Sequence, residues 1–339
     1  MTLNYERFYK QENDPPIRFY YVTQLDRCEH LWKTFFTPRC ISDIWEFRLC
    51  FHKHFQHKPV FFVMEDRNGI AGVIPMSYIQ KLDTYCMFPG EMWNNRTWLE
   101  RTPVYVRDDY SINDLIKLCP ENSCLRYLEV SDRSMDYDFS EDEIGYVMYP
   151  GDLDYNIDNY LKRFSNKKLK AINKDIRSFE DRGCEVFENR LEDFNSLVEM
   201  SIQQFGSRSF MYDKRFRRSF NDVLNFLHRE KMLRMISCVI DGELAAVDIG
   251  GINNGIYSVF LGGTNSRFPG IAKLMNMNHI QYSFSEKLHK IDFLCGDFHW
   301  KLLWHLDQEV LYRFEPFSSA GGTLADSQYP SAQITAINQ

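Results

Sequence analysis

The chain has 339 residues, of which 44% are hydrophobic and 26% charged, with a net charge of −7. That length is past the point where one hydrophobic core stops growing, so two domains of roughly 150 to 170 residues are expected. The composition excludes a largely disordered, collagen-like or coiled-coil chain, and the negative balance counts against a nucleic-acid protein held by an overall positive field.

The first substantial element after an extended Arg18 to Val22 is a helix. Ile44, Phe47, Phe51 and Phe55 recur at i, i+3, i+7 and i+11 and give one apolar face, which should pack on a sheet. His52, His54 and His57 fall on different faces of that helix, so they do not form a metal site. Residues 60–79 hold two apolar runs around Asp66-Arg67-Asn68-Gly69, a hairpin with a tight turn. Phe88-Pro89-Gly90 follows. An acidic, turn-rich stretch from Asp132 to Glu143 then places a boundary near residue 145.

Beyond it lies a basic helix. Leu169, Ile172, Ile176 and Phe179 form its apolar face, with Arg163, Lys167, Lys170, Lys174 and Arg177 elsewhere. The basic residues between Lys162 and Arg182 read either as a surface for a phosphate-rich partner or as a solvated face. A second hairpin spans residues 232–252 around Asp241-Gly242, half a chain from the first, and it too follows a helical, aromatic-rich stretch. The pattern reads as a diverged duplication of one α/β unit. The segment 256–304 then reads strand, loop, helix, strand, helix. Gly262 and Gly263 are expected to end the first strand, Met277, Ile280, Phe284 and Leu288 mark the helix, and Lys290 begins the second strand. Residues 317–339, rich in Ser, Ala and Gly, read as a flexible tail.

The nine cysteines are scattered and contain no C-x-x-C pair, which suits reduced, buried thiols. No apolar run reaches the roughly 20 residues of a membrane span, and residues 1–16 lack the apolar stretch of a signal peptide, so a cytoplasmic location is expected.

Chemistry concentrates in the loop Arg267-Phe268-Pro269-Gly270-Ile271-Ala272, an R-x-x-G-x-A sequence at the mouth of a helix. Small residues there let backbone N–H groups approach a phosphate, and the helix dipole with Arg267 favours its charge. A Pro-Gly turn that merely starts a helix is the plainer alternative. Asp248 interrupts the apolar run AAVDIGG, as an acid pointing into a cleft or out to solvent.

The strand–R-x-x-G-x-A–helix–strand unit resembles the acyl-CoA diphosphate loop of the GNAT acyltransferase superfamily. The longer run, continuing through Ile291-Asp292-Phe293-Leu294-Cys295-Gly296-Asp297-Phe298-His299-Trp300-Lys301, resembles its CelD-like branch, related to the Fem-type aminoacyltransferases. The resemblance implies an α/β fold of two tandem GNAT-like halves, each a mixed, mostly antiparallel sheet flanked by helices. Residues 1–145 would form the acceptor side with a degenerate donor site, and residues 146–316 would hold the donor.

It further implies acyl transfer from acyl-CoA (acetyl-CoA or longer) or an acyl-carrier protein to the amine of a small molecule such as an amino sugar or amino acid, without a metal. Phe260, Leu261, Gly262, Arg267, Pro269, Gly270, Ile271 and Ala272 would hold the donor, with backbone N–H groups near Phe260 to Gly262 polarising the acyl carbonyl. In the motif D-x-x-x-G-x-x-x-[Y/F]-K, here Asp292, Gly296, Trp300 and Lys301, the lysine stabilises the developing charge. Trp300 removes any tyrosine hydroxyl. Asp297 would orient Lys301 or take a proton, and Asp248 would bind or deprotonate the acceptor amine. His299 and Cys295 are read as structural. Two other readings are a Fem-like transfer from charged tRNA, against which the net charge counts, and a non-catalytic scaffold in a polysaccharide biosynthesis complex. Oligomeric state is not fixed by the sequence.

Overall fold

The computed structural model describes residues 8–9, 17–94, 96–117, 119–129, 139–296 and 299–315. The expected tail, Asp297, and most of the acidic stretch before residue 139 lie outside them.

In chain order the N-terminal elements are β1 (Phe8–Tyr9), β2 (Ile17–Val22), α1 (Leu25–Phe35), α2 (Trp45–Phe55), β3 (Lys58–Asp66), β4 (Gly69–Ile79) and β5 (Thr84–Met87). A short hairpin, β6 (Met92–Trp93) and β7 (Arg96–Thr97), precedes β8 (Tyr105–Val106), α3 (Ile112–Ile116) and β9 (Ser123–Leu128). Then come β10 (Phe139–Met148), α4 (Ile157–Leu161), α5 (Asn166–Glu180), β11 (Glu185–Glu188), α6 (Phe194–Phe205), α7 (Lys214–Arg229), β12 (Leu233–Ile240) and β13 (Glu243–Asn253). The chain closes with β14 (Ile256–Thr264), α8 (Ile271–Ser285), β15 (Lys290–Asp292), α9 (His299–Leu303) and β16 (Asp307–Phe314).

The duplication read from the two hairpins is explicit in the sheet. The spatial order β2-β3-β4-β5-β9 repeats as β11-β12-β13-β14-β15. Each run is antiparallel except its last pair, where β5 and β9, and likewise β14 and β15, run parallel. Both hairpins form around their glycine turns. At the second, Asp241 and Gly242 both take positive φ (52° and 76°), the mirror-image turn that matches strand twist.

The halves share one sheet through an exchange of strands. β16 lies against β9 of the first half, and β10 lies against β15 of the second, with β10 and β16 antiparallel between them. Residue 145 falls inside β10, so the connecting strand is itself part of the joint.

Helix α2 departs from its expected role. Trp45 does face the first half's core, stacked on Phe88 at 5.0 Å. Phe51 and Phe55, however, meet Phe216 and Phe220 of α7, and Phe47 lies 5.6 Å from Phe260 of β14. The helix packs on another helix and bridges the halves, because its apolar stripe is wide enough to serve two cores.

Candidate functional site

Gly262 and Gly263 do not end β14, which continues to Thr264. They lie within the strand because neighbours crowd it. A Cβ on Gly262 would come within 2.5 Å of the Asp248 carboxylate, and one on Gly263 within 3.2 Å of the Leu197 carbonyl. β14 pairs with β13 along its length but with β15 only at Ile256–Ser258. From Val259 onward the two parallel strands part. At the parting point the β13 register steps from Gly250↔Val259 to Ile249↔Leu261, so Phe260 is a bulge residue whose backbone leaves the ladder.

Between the parted strands lies a small cleft. Ser258, Phe260, Asp292 and Leu294 line it from the second half, and Cys40, Ser42, Phe47 and residues 98–101 from the first. At the far end of β14, Asn265 shapes the loop by accepting from the Arg267 N–H at 3.0 Å. Phe268 is buried beneath the loop, and Gly270, in the left-handed region (φ 88°), starts α8 with no side-chain cap. Arg267 is exposed and ion-paired to Glu243, and Ala272 is exposed while Ile271 is buried. Phe260 is thus at the cleft, and Arg267 to Ala272 form a helix-start loop beyond it.

The other sequence-predicted residues go elsewhere. Asp248 does not line the cleft. Its carboxylate accepts from His279 Nε2 at 2.8 Å, His279 Nδ1 accepts from the Tyr257 hydroxyl at 2.7 Å, and Arg234 donates to that hydroxyl at 3.0 Å. This chain assigns the histidine tautomer. Burial pushes His279 below its ordinary pKa against the pull of Asp248, so the ring is neutral at pH 7. His279 is fully buried with both ring nitrogens hydrogen-bonded.

Lys301 is buried beside the cleft rather than in it. Its Nζ donates to the carbonyls of Phe293, Leu294 and Cys295 at 2.9, 2.9 and 2.7 Å. Three acceptors match the three N–H bonds of an ammonium, and through them the group ties down the turn after β15. Burial lowers its pKa, opposed chiefly by Glu100. Trp300 packs edge-on against Phe293 at 5.9 Å. Cys295 is buried, and burial raises its pKa, which disfavours the thiolate.

Two residues the sequence reading passed over complete the site. Glu100, half-buried, lines the cleft and accepts from the Cys295 N–H at 2.7 Å, on the turn that Lys301 holds. Burial, then the charge of Asp292, pushes its pKa up to about 7. Beside it the buried Arg101 contacts Asp292 of β15 at 2.7 Å, Glu129 at 2.8 Å and Glu309 of β16 at 2.6 Å, pinning the first half to the second. Neither carries a sequence signal beyond being an acid and a base between Trp98 and Thr102. Among the described residues no cluster of His, Cys, Asp or Glu could hold a metal, and no helix is long and apolar enough to cross a membrane.

Comparison with known proteins places this geometry. The Acetyltransferase (GNAT) domain family matches residues 166–302, which include the parted strands and the helix-start loop. The fold is similar over most of its length to FemX, with 10% identity, a TM-score of 0.55, and 88% of this chain and 97% of that one covered. A conserved protein of unknown function from Bacteroides thetaiotaomicron VPI-5482 gives 15% identity and a TM-score of 0.54, covering 87% of this chain and 97% of that one. L-PGS from Bacillus licheniformis gives 12%, 0.50, and coverage of 80% and 90%. Nothing among curated protein sequences matches. At these identities the solved structures speak for the fold, and the match at residues 166–302 is to the Acetyltransferase (GNAT) domain family.

Proposed function

We propose that the protein transfers an acyl group from the thioester of acyl-CoA to the amine of a small molecule, with both reactants meeting in the cleft between β14 and β15. The observation that carries this reading is the parting of those strands at the Phe260 bulge, opposite a half-buried carboxylate. The thioester arm lies along the free edge of β14. Backbone N–H groups at the bulge polarise the carbonyl, and the α8 start with Arg267 holds the diphosphate.

Glu100, with a pKa near 7, takes the proton from the attacking amine, and the tetrahedral intermediate then expels the CoA thiolate. Lys301 positions the turn that holds Glu100. Residues 1–145 form the acceptor side through Cys40, Ser42 and Trp98 to Arg101. The acceptor amine is that of a cytoplasmic amino sugar or amino acid, which Glu100 faces from the cleft wall.

The test is calorimetric titration with acetyl-CoA and longer acyl-CoAs, followed by mass-spectrometric detection of acylated product from a panel of amino sugars and amino acids. Binding that Arg267→Ala weakens by about 1 to 3 kcal/mol, the scale of a charge-assisted contact, supports the reading. Absence of binding by every acyl-CoA overturns the free-CoA donor.

A further inference from the structure

The surface of α5 carries charge that the fold does not use. Its apolar face, Leu169, Ile172, Ile176 and Phe179, packs toward the α8 side of the sheet. On the opposite face Lys167, Lys170, Lys174 and Arg177 stand at i, i+3, i+7 and i+10, all exposed, and Arg163 extends the row before the helix begins. Residues 162–182 hold eight Lys and Arg against three acids, in a chain whose net charge is −7.

Several arginines elsewhere are paired: Arg39 and Arg101 with Glu129, Arg107 with Asp66, Arg126 with Asp142. Among the described residues no carboxylate lies within ion-pair distance of the five cations of the α5 row. The acid on this helix nearest to them, Asp175, is drawn aside to Lys273 in the first turn of α8.

Asp175 also fixes where the row leads. Its carboxylate lies 3.8 Å from the position a Cβ would take on Gly270, so the end of the row at Lys174 and Arg177 borders the helix-start loop. From there the row runs back about 10 to 15 Å to Lys167, at 1.5 Å per residue, and further to Arg163. The single extra phosphate of free CoA reaches only the near end. The far end calls for a partner with many negative charges spread over the length of a helix.

RNA is the less suitable polyanion. The only aromatic residue on α5, Phe179, is buried, so nothing on that surface stacks a base. We propose that the basic row of α5 docks an acidic acyl-carrier protein, whose thioester arm then enters the cleft past Gly270. This rests on the acyl-transfer reading above and names the form in which the donor arrives.

The test compares wild type with the double variant Lys167→Glu, Lys170→Glu, at the end of the row far from the loop. Acetyl-loaded acyl-carrier protein and acetyl-CoA are both offered as donors, with carrier binding measured separately at low and high salt. The expected result is salt-sensitive carrier binding and a ratio of kcat/KM for carrier over CoA that falls at least tenfold in the variant. An unchanged ratio and unchanged carrier binding overturn docking. A variant that loses binding to bulk tRNA but not to the carrier overturns it in favour of RNA. If neither thioester is turned over but the carrier still binds wild type and not the variant, the docking surface stands and acyl transfer falls.

Discussion

The two parallel strand pairs at the hearts of the two halves show how one sheet topology supports two purposes. β5 and β9 meet only at Tyr85↔Ser123 and Cys86↔Cys124, as β14 and β15 meet only over three residues, so each half has a gap beyond the pairing. A Phe-Pro-Gly follows each of β5 and β14. In the second half it leads to a 15-residue helix whose start is open. In the first half Met87, where Arg267 would be the counterpart, is buried at the end of β5, and Phe88 is buried against Trp45.

The first gap also holds a pocket, and buried polar groups line it. Arg48 donates to the carbonyls of Ser42 and Phe88, both at 2.6 Å. The buried carboxylate of Glu91 accepts from the Thr97 hydroxyl and from the Trp98 and Leu99 N–H groups at 3.1 and 2.8 Å. That loop carries Glu100 and Arg101 across to the other half. The difference lies in the segment after the strand rather than in the sheet, and in the proposed mechanism the half without a donor loop supplies the proton acceptor.

The largest expected effect comes from removing that acceptor. Glu100→Gln should lower kcat by about 100-fold or more, the scale of general-base catalysis, while calorimetry shows acetyl-CoA binding retained. As an active base Glu100 must be ionised, so the wild-type rate rises with pH through about 7 and the variant loses that limb. The stability effect has the opposite sense. A carboxyl whose pKa is raised on folding favours the folded state at low pH and costs stability as pH climbs from its ordinary value to about 7. Glu100→Gln should therefore gain on wild type above pH 7 in denaturant melts. Retention of both the rate and its pH limb would mean that the first half contributes shape alone.

Lys301→Met sharpens the link between the halves. The thioether fills the space but leaves the carbonyls of residues 293–295 without their donor, costing about 3 kcal/mol of stability. Because the ammonium lowers the Glu100 pKa, its removal should also move the rising limb of the pH–rate profile to higher pH. A lysine that stabilised the oxyanion directly would lower the plateau rate and leave the limb in place, so the profile separates positioning from catalysis.

What the sequence disclosed follows from the range of the signals. Helix α2, both hairpins, α5, α8 and β15 announce themselves through periodicity and turn residues within about 20 residues. So does the loop at Arg267, whose motif is local. The strand exchange is not local: β16, with most of its residues at least partly exposed, alternates weakly, and its partner β9 lies nearly 190 residues earlier. Glu100 meets Cys295 across 195 residues of chain, within a stretch with neither helical nor strand period. Lys301 was found by its motif. Its three carbonyl partners depend on how the turn after β15 coils back, which no spacing encodes.

The smallest effect tests the first gap itself, whose pocket Glu91 lines. Glu91 is buried, and burial raises its pKa, with the hydrogen bonds to Thr97 and Leu99 pulling the other way. Glu91→Gln keeps one carbonyl oxygen for those donors but exchanges the second acceptor oxygen for an NH₂, so a loss of about 1 kcal/mol is expected. Wild type should lose its advantage as pH rises through the carboxyl range, since its folded state holds the proton more tightly, and the amide does not titrate. If the first gap is structural, kcat and the affinity for acetyl-CoA stay within about twofold, because Glu91 reaches the cleft only through the backbone of residues 98–99. A large fall in kcat at intact stability would instead make the first gap a working part of the acceptor site, and the two halves would be less different than their loops suggest.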